Sequence, residues 1–461
     1  MSILILSLSL NSTGCTKTKT NNNTDNPNIE NKESKVETKV IDLGENLAEK
    51  YVSPYNDEEK GYFSIEGSVL ENDIMYMSGT CRGTKVDFEG VMALNLKDNK
   101  IIWKTMIKEG VSSGSLTKYN DYLYVTSDKY FTCLNKNNGK IIFKEEIECD
   151  YVKPVVNNNI LYIWGRIPPK FDSLYALNPD TGEELCSLEV RGHFDWSPTF
   201  FNNMIFFNTT EGSTFAIRVI EDTSSNYHFE ILWSRIGEND QDPLVGSPVY
   251  WNENVYSQYH PAPYFIVNDR YLICYDALRG NEKWKLLLAH YVVDEQRTSP
   301  PYAYTVNLKY NDTEYKVDYQ QPFLYEDQLY LFADKGLIVV DPLDGSIIKA
   351  INIDHELLDD TYTLHINENI AYWWYSNVDK YSMVCFFDLD KEMFDMEIKT
   401  PVDGSESAQL WVSNVFFKDN DIYIVSDAGI IFVVDKVLNK SVSAFRICGD
   451  LTIIDLIYSD T

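Results

Sequence analysis

The sequence predicts an all-β protein, an eight-bladed β-propeller of four-stranded antiparallel blades. Three observations point there. Aromatic residues make up 14% of the chain, with 32 Tyr and 22 Phe, which favours strands over helices. The chain has 461 residues, more than the ~250–300 at which one hydrophobic core stops growing, so it needs several domains or a repeat array. Two short turn signatures alternate along it from about Phe63 to Ile447, eight copies of each.

In the first signature, Asn, Asp or Glu residues lead into an apolar stretch that reaches Tyr or Phe. The copies are Glu71-Asn72-Asp73-Ile74-Met75-Tyr76, Asn120-Asp121-Tyr122-Leu123-Tyr124, Asn158-Asn159-Ile160-Leu161-Tyr162, Asn202-Asn203-Met204-Ile205-Phe206, Glu253-Asn254-Val255-Tyr256, Glu326-Asp327-Gln328-Leu329-Tyr330, Glu368-Asn369-Ile370-Ala371-Tyr372 and Asn420-Asp421-Ile422-Tyr423. Asn and Asp tolerate positive φ, and the flanking residues alternate, so each copy reads as a tight β-hairpin.

In the second, an apolar strand ends in Asn or Asp, a Gly-like residue follows four later, and a bulky residue four beyond that. The copies are Asn95/Asn99/Trp103, Asn135/Gly139/Phe143, Asn178/Gly182/Cys186, Asp276/Gly280/Trp284, Asp341/Gly345/Lys349, Asp388/Glu392/Met396 and Asp435/Asn439/Ser443; an eighth, Ala216 to Trp233, carries a longer turn. The Asx side chain can bond back to the turn backbone, and Gly takes the left-handed position.

One signature of each kind makes two hairpins, hence four strands, A to D. A lone four-stranded sheet cannot bury both its faces, and radial stacking of eight such sheets solves this. The apolar stretch Leu451 to Tyr458 is left over, as a seal for the ring or an extension of the last sheet.

The chain opens differently. Ile3 to Leu10 (ILILSLSL) is shorter than the ~20 residues of a membrane span and suits a secretory h-region, giving a signal peptide over 1–14. Ser12-Thr13-Gly14-Cys15 resembles the lipobox of bacterial lipoproteins, with Ser12 where that motif usually has Leu. The resemblance implies a lipidated Cys15 and a membrane anchor. Thr16 to Val40 has no aromatic residue and is rich in Asn, Thr and Lys, so 15–45 reads as the lipidated cysteine plus a disordered tether, with the propeller over 46–461.

The Ala-Leu-Asn-x-x-x-Gly-x-x-x-Trp pattern resembles the repeat of quinoprotein-like (PQQ-like) propellers, a family that includes quinone-dependent dehydrogenases and BamB-type lipoproteins. The resemblance implies that Trp103, Trp233 and Trp284, with Phe143 as a substitute, dock strand D between neighbouring blades; Cys186, Lys349, Met396 and Ser443 match this position less well. It does not carry the dehydrogenase chemistry, because no two Cys are adjacent and the family's calcium site has no counterpart here.

Other chemistry leaves little trace. The balance of 40 Lys+Arg against 70 Asp+Glu, a net charge of −30, argues against nucleic acid and against electrostatic docking on anionic lipid. The Cys at 15, 81, 133, 149, 186, 274, 385 and 448 show no C-x-x-C spacing and lie mostly in apolar contexts, so buried free thiols are expected. The His at 193, 228, 260, 290, 355 and 365 form no ligand motif. Neither a catalytic residue, a metal nor a cofactor is expected.

Strand parity places the A–B and C–D turns on one face and the B–C and D–A connections on the other. The long segments are of the second kind: Gly165 to Asp172, Ser257 to Arg270 and Tyr291 to Asp318. Insertions in repeat folds gather on the binding face. The candidate binding loops therefore carry Tyr259, His260, Tyr264, Tyr302 and Tyr304. The function expected is a non-catalytic, membrane-anchored scaffold or binding module, extracytoplasmic, that meets other envelope proteins or a glycan or peptide. The alternatives are a carbohydrate-binding or carbohydrate-cleaving propeller, which lacks the S-x-D-x-G-x-x-W box of sialidases, and a degenerate quinoprotein enzyme.

Overall fold

The computed structural model describes residues 40–43, 61–83, 85–107, 116–127, 129–149, 154–166, 173–190, 198–209, 213–223, 226–236, 244–259, 270–293, 303–317, 322–353, 364–377, 381–400, 412–438, 440–448, 451 and 453–455. All belong to the unit Thr38–Thr461. Every element among them is a strand.

The strands form eight antiparallel sheets, each ordered A-B-C-D along the chain and arranged as an eight-bladed propeller. Blade 1 holds Tyr62–Glu71, Ile74–Arg82, Glu89–Asn95 and Lys100–Met106; blade 2 holds Leu116–Tyr119, Tyr122–Thr126, Tyr130–Asn135 and Ile141–Glu146. Blade 3 holds Val155–Asn157, Ile160–Arg166, Ser173–Leu177 and Glu184–Glu189, and blade 4 Thr199–Phe201, Met204–Asn208, Ser213–Glu221 and Tyr227–Ile236. Blade 5 holds Leu244–Trp251, Asn254–Tyr259, Arg270–Asp276 and Glu282–Val293; blade 6 holds Phe323–Tyr325, Gln328–Ala333, Gly336–Val340 and Ile347–Asn352. Blade 7 holds Leu364–Asn367, Ile370–Asn377, Tyr381–Asp388 and Met393–Lys399, and blade 8 Val412–Lys418, Asp421–Ser426, Ile430–Asp435 and Lys440–Ile447.

The turn chemistry explains the hairpins. Positive φ recurs at all eight A–B turns, at Asn72, Asn120, Asn158, Asn202, Asn252, Glu326, Glu368 and Asp419. In all seven regular C–D turns the Asx carboxyl or amide oxygen accepts a backbone N–H two or three residues on, as Asn178 does from Asp180 N at 2.8 Å and Asp435 from Val437 N at 2.7 Å. One device was not foreseen. A β-bulge interrupts every C–D pair at the same place, from Ala93/Leu94 in blade 1 to Val433/Val434 in blade 8. It twists strand D, the outer edge in five of the blades, and blunts that edge against pairing with other chains.

Burial follows position. The middle strands are covered on both faces by neighbouring blades, so Leu331–Ala333 and Leu337–Val340 are buried without alternation. Strand D faces solvent on one side, and Lys100–Met106 alternates exposed with half-buried residues. Eight hydrophobic clusters fill the eight gaps between blades. One of them joins Phe63, Ile65 and Met75 of blade 1 to Val425, Ile431 and Phe445 of blade 8 and so closes the ring. Among the described residues no strand is exchanged between blades 1 and 8. Closure rests on that packing, a backbone bond from Ile65 N to Asp427 O at 2.8 Å, and a bond from Asn414 Nδ2 to Ser68 O at 3.4 Å.

Three blades gain outer strands. Ile453–Asp455, within the leftover C-terminal segment, pairs antiparallel with strand D of blade 8. Val40–Asp42 pairs parallel with strand D of blade 7, so the fold begins ahead of the boundary at residue 46 that composition suggests. Ile41 and Leu43 are buried there, and Lys399 bonds Asp42 at 3.0 Å. In blade 5, Ala303–Tyr310 and Thr313–Tyr315 make a six-stranded sheet from part of the segment expected to be a D–A loop.

Candidate functional site

Trp103, Phe143, Trp233 and Trp284 each work on the next blade. Trp103 Nε1 donates to Lys136 O at 2.8 Å, Trp233 Nε1 to Ala277 O at 2.8 Å and Trp284 Nε1 to Pro342 O at 3.1 Å. Each aromatic ring also lies on the C–D turn glycine of that blade. A Cβ on Gly139 would meet Trp103 at 2.4 Å, and one on Gly182 would meet Phe143 at 2.6 Å; Gly280 and Gly345 stand in the same relation to Trp233 and Trp284. These glycines therefore serve twice, for a left-handed turn and for a close approach. The register of Cys186, Lys349, Met396 and Ser443 with Ala176, Val339, Phe386 and Val433 shows that they occupy the equivalent position, so the weaker matches are genuine substitutions.

The face that carries the A–B and C–D turns is bound up in contacts between blades. Tyr124 and Tyr256, the tyrosines that end the first signature, donate to Pro179 O at 2.9 Å and Pro342 O at 3.0 Å, and burial holds both hydroxyls well above their usual pKa. Trp251 Nε1 bonds Asp327 at 2.9 Å, Tyr325 OH bonds Asp390 at 2.6 Å, and Lys118 and Lys136 both reach Glu71. Burial alone would raise the Glu71 pKa, but the two ammonium groups outweigh it and hold the carboxylate below its ordinary range.

The opposite face is where the candidate binding residues fall. Tyr259 is the last residue of strand B in blade 5, opposite Leu244 at the start of strand A and Tyr271 near the start of strand C. Tyr304 lies in the fifth strand of that blade, opposite Val292 near the end of strand D, and so is a strand residue where a loop residue was expected. Both backbones thus come to one end of one sheet, the end that carries the B–C and D–A connections. The added hairpin is held against blade 6, where Tyr310 OH donates to Ile348 O at 3.0 Å and Tyr315 OH to Asn352 at 2.8 Å. His260, Tyr264 and Tyr302 lie outside the described residues, as do Cys15, the signal peptide and residues 15–39 of the tether.

The described thiols are placed for packing. Cys133, Cys274 and Cys385 are buried free thiols and Cys186 is half-buried and free. Burial pushes Cys133, Cys186 and Cys274 up to about 12, which leaves no thiolate at neutral pH. Among the described residues no group of three or more His, Cys, Asp or Glu is gathered as a metal set would be. His365 was not singled out by the sequence. It stacks on Tyr372 and Trp374, with ring centroids 5.2 and 4.9 Å away, and burial pulls its pKa down to about 4.

No family model matches this chain, and no curated protein matches it. Solved structures share its fold. The computationally designed Ika8 protein superposes with a TM-score of 0.53 at 13% identity, over 81% of this chain and 97% of that one. BamB from Moraxella catarrhalis is also similar, with a TM-score of 0.49 at 11% identity, over 79% of this chain and 92% of that one.

Proposed function

We propose that this chain is a non-catalytic binding module, held at the outer side of a bacterial membrane through a lipidated Cys15, that offers the B–C/D–A face of blade 5 to another envelope protein. The observation that carries this reading is the contrast between the two faces. Many turn-side polar groups are taken up in bonds between blades, whereas Tyr259 and Tyr304 lie three strands apart at the other end of a sheet enlarged to six strands. Tyrosines suit such a role because they combine a large apolar ring with a hydroxyl at little entropic cost. The direction of Val40–Asp42 is consistent with it. That strand runs parallel to strand D of blade 7, so the chain enters it from the C–D turn side, the side away from Tyr259 and Tyr304.

Site-specific photo-crosslinking in membranes tests the reading. A benzophenone residue at Tyr259 or Tyr304 is expected to give a light-dependent adduct with one envelope protein, while the same residue at Leu343 or Leu438, exposed on C–D turns, gives none. Adducts from the turn positions alone would reject the assigned face. Loss of metabolic palmitate labelling in Cys15→Ala is expected if the anchor is as proposed; labelling that persists would reject it.

A further inference from the structure

The turn face is not uniform. In seven blades the strand-D docking residue follows its strand-C partner by ten positions, as Trp103 follows Ala93, but in blade 4 the gap from Ala216 to Trp233 is seventeen. The extra residues lengthen strands C and D to Ser213–Glu221 and Tyr227–Ile236, and the hairpin they form projects past the neighbouring turns. Arg218 and Glu230 are ion-paired across it, and Asn226 N bonds Asp222 at 2.9 Å near its tip. Blade 3 meets this hairpin with Cys186 at the docking position, too small to cover it as a tryptophan would.

A cavity of about 370 Å³ results. Blade 3 lines it with Asn158, Asn159 and Ile160 of its A–B turn, Asn178 and Pro179 of its C–D turn, and Leu185, the bulged residue of strand D; blade 4 lines it with Val219, Glu221 and Tyr227. Its size falls in the ~300–1,000 Å³ range of small-molecule sites.

The lining narrows the ligand. It contains no Lys or Arg, and Glu221 would repel an anion. It contains a single carboxylate, already hydrogen-bonded by the Tyr227 hydroxyl, which is poor provision for a cation. Three asparagines make it too polar for an apolar guest. What remains is a neutral ligand with hydroxyls for the amides and C–H faces for Ile160, Leu185, Val219 and the Tyr227 ring. We infer that the cleft between blades 3 and 4 binds a mono- or disaccharide, through Asn159, Glu221 and Tyr227. This site lies on the face opposite Tyr259 and Tyr304, so it stands or falls separately from the partner surface.

The test uses the full chain in detergent, with glucose, N-acetylglucosamine, maltose and chitobiose as probes, followed by saturation-transfer NMR and calorimetry. At least one sugar is expected to bind saturably at millimolar concentration or below. Asn159→Gly removes the amide at a position with φ of 58°, where glycine is at ease, and is expected to weaken that binding by about tenfold or more. Glu221→Gln is expected to retain much of it, because an amide oxygen still accepts the tyrosine hydroxyl. Both variants should melt with the parent protein. No saturable binding by any of the four sugars would overturn the proposal. So would binding that survives in Asn159→Gly, or binding of lysine amide that is abolished by Glu221→Gln while no sugar binds.

Discussion

Lys349 of blade 6 is ion-paired with Glu392 of blade 7, in the place where Trp284 of blade 5 lies on Gly345 of blade 6. The docking position and the turn position are thus coupled across five of the interfaces. An aromatic residue is met by glycine on the next blade, and the one lysine is met by a glutamate whose φ is 53°. A ring needs a turn without Cβ, and an ammonium needs a carboxylate within reach.

The coupling predicts how the pair responds to exchange. Both side chains are over one-third exposed, so Lys349→Glu is expected to cost no more than about 1 kcal/mol, and the swap Lys349→Glu with Glu392→Lys to recover most of it. Replacing the pair by Lys349→Trp with Glu392→Gly should stabilise the protein by about 1–2 kcal/mol, since it adds ring burial and relieves the left-handed glutamate. Urea unfolding of the parent and the three variants checks this, and destabilisation by the Trp/Gly pair would refute it.

Gly280→Ala should be among the most harmful single-methyl additions. The new Cβ would sit 2.4 Å from Trp233, on a backbone with φ of 65°. A loss of about 2–4 kcal/mol is expected. In combination with Trp233→Leu the cost should be less than additive, because the clash is shared. Denaturation midpoints of the two singles and the double measure it.

The N-terminal strand should be structural. Truncation before Val40 is expected to leave domain stability unchanged, whereas truncation through Leu43 exposes the cluster around Val384, Phe386 and Ile398 and removes buried Ile41 and Leu43. The predicted loss is about 3–5 kcal/mol, from two buried aliphatic side chains. Equal unfolding curves for the two truncations would contradict it.

His365 should make stability depend on pH. Its folded pKa is about 4 and its ordinary value 6.5. Between these values the unfolded chain binds a proton that the folded chain does not, so stability falls as the pH drops from 6.5 towards 4 and this contribution levels off below. The loss is about 3 kcal/mol. His365→Phe keeps a ring against Tyr372 and Trp374 and should flatten the profile in that window. An unchanged difference between pH 7 and pH 4 in the variant would exclude the assignment.

The features that could be read from the chain were local ones. Asn72, Asn178 and Gly280 fulfil their turns through bonds and φ angles that span a few residues, so their chemistry is visible in any short window. Tyr304 was misplaced as a loop residue because the strand around it is defined by Val292 and its neighbours across the sheet, and nothing nearby in sequence announces that pairing. His365 was overlooked for a similar reason: the rings that bury it come from the adjacent strand. The long turn between Ala216 and Trp233 was visible as an irregularity, but the cleft it makes needs blade 3 beside it.

The amino-acid sequence alone determined the number of blades and the order of strands within each, because the same local turn chemistry is repeated at every step. The tertiary structure alone decided which segments complete the outer edges, that Val40–Asp42 belongs to blade 7, and where the regular docking gives way to a cavity. Those outcomes depend on contacts between residues far apart in the chain, as far as Asp42 is from Lys399, and such contacts exist only once the ring has closed.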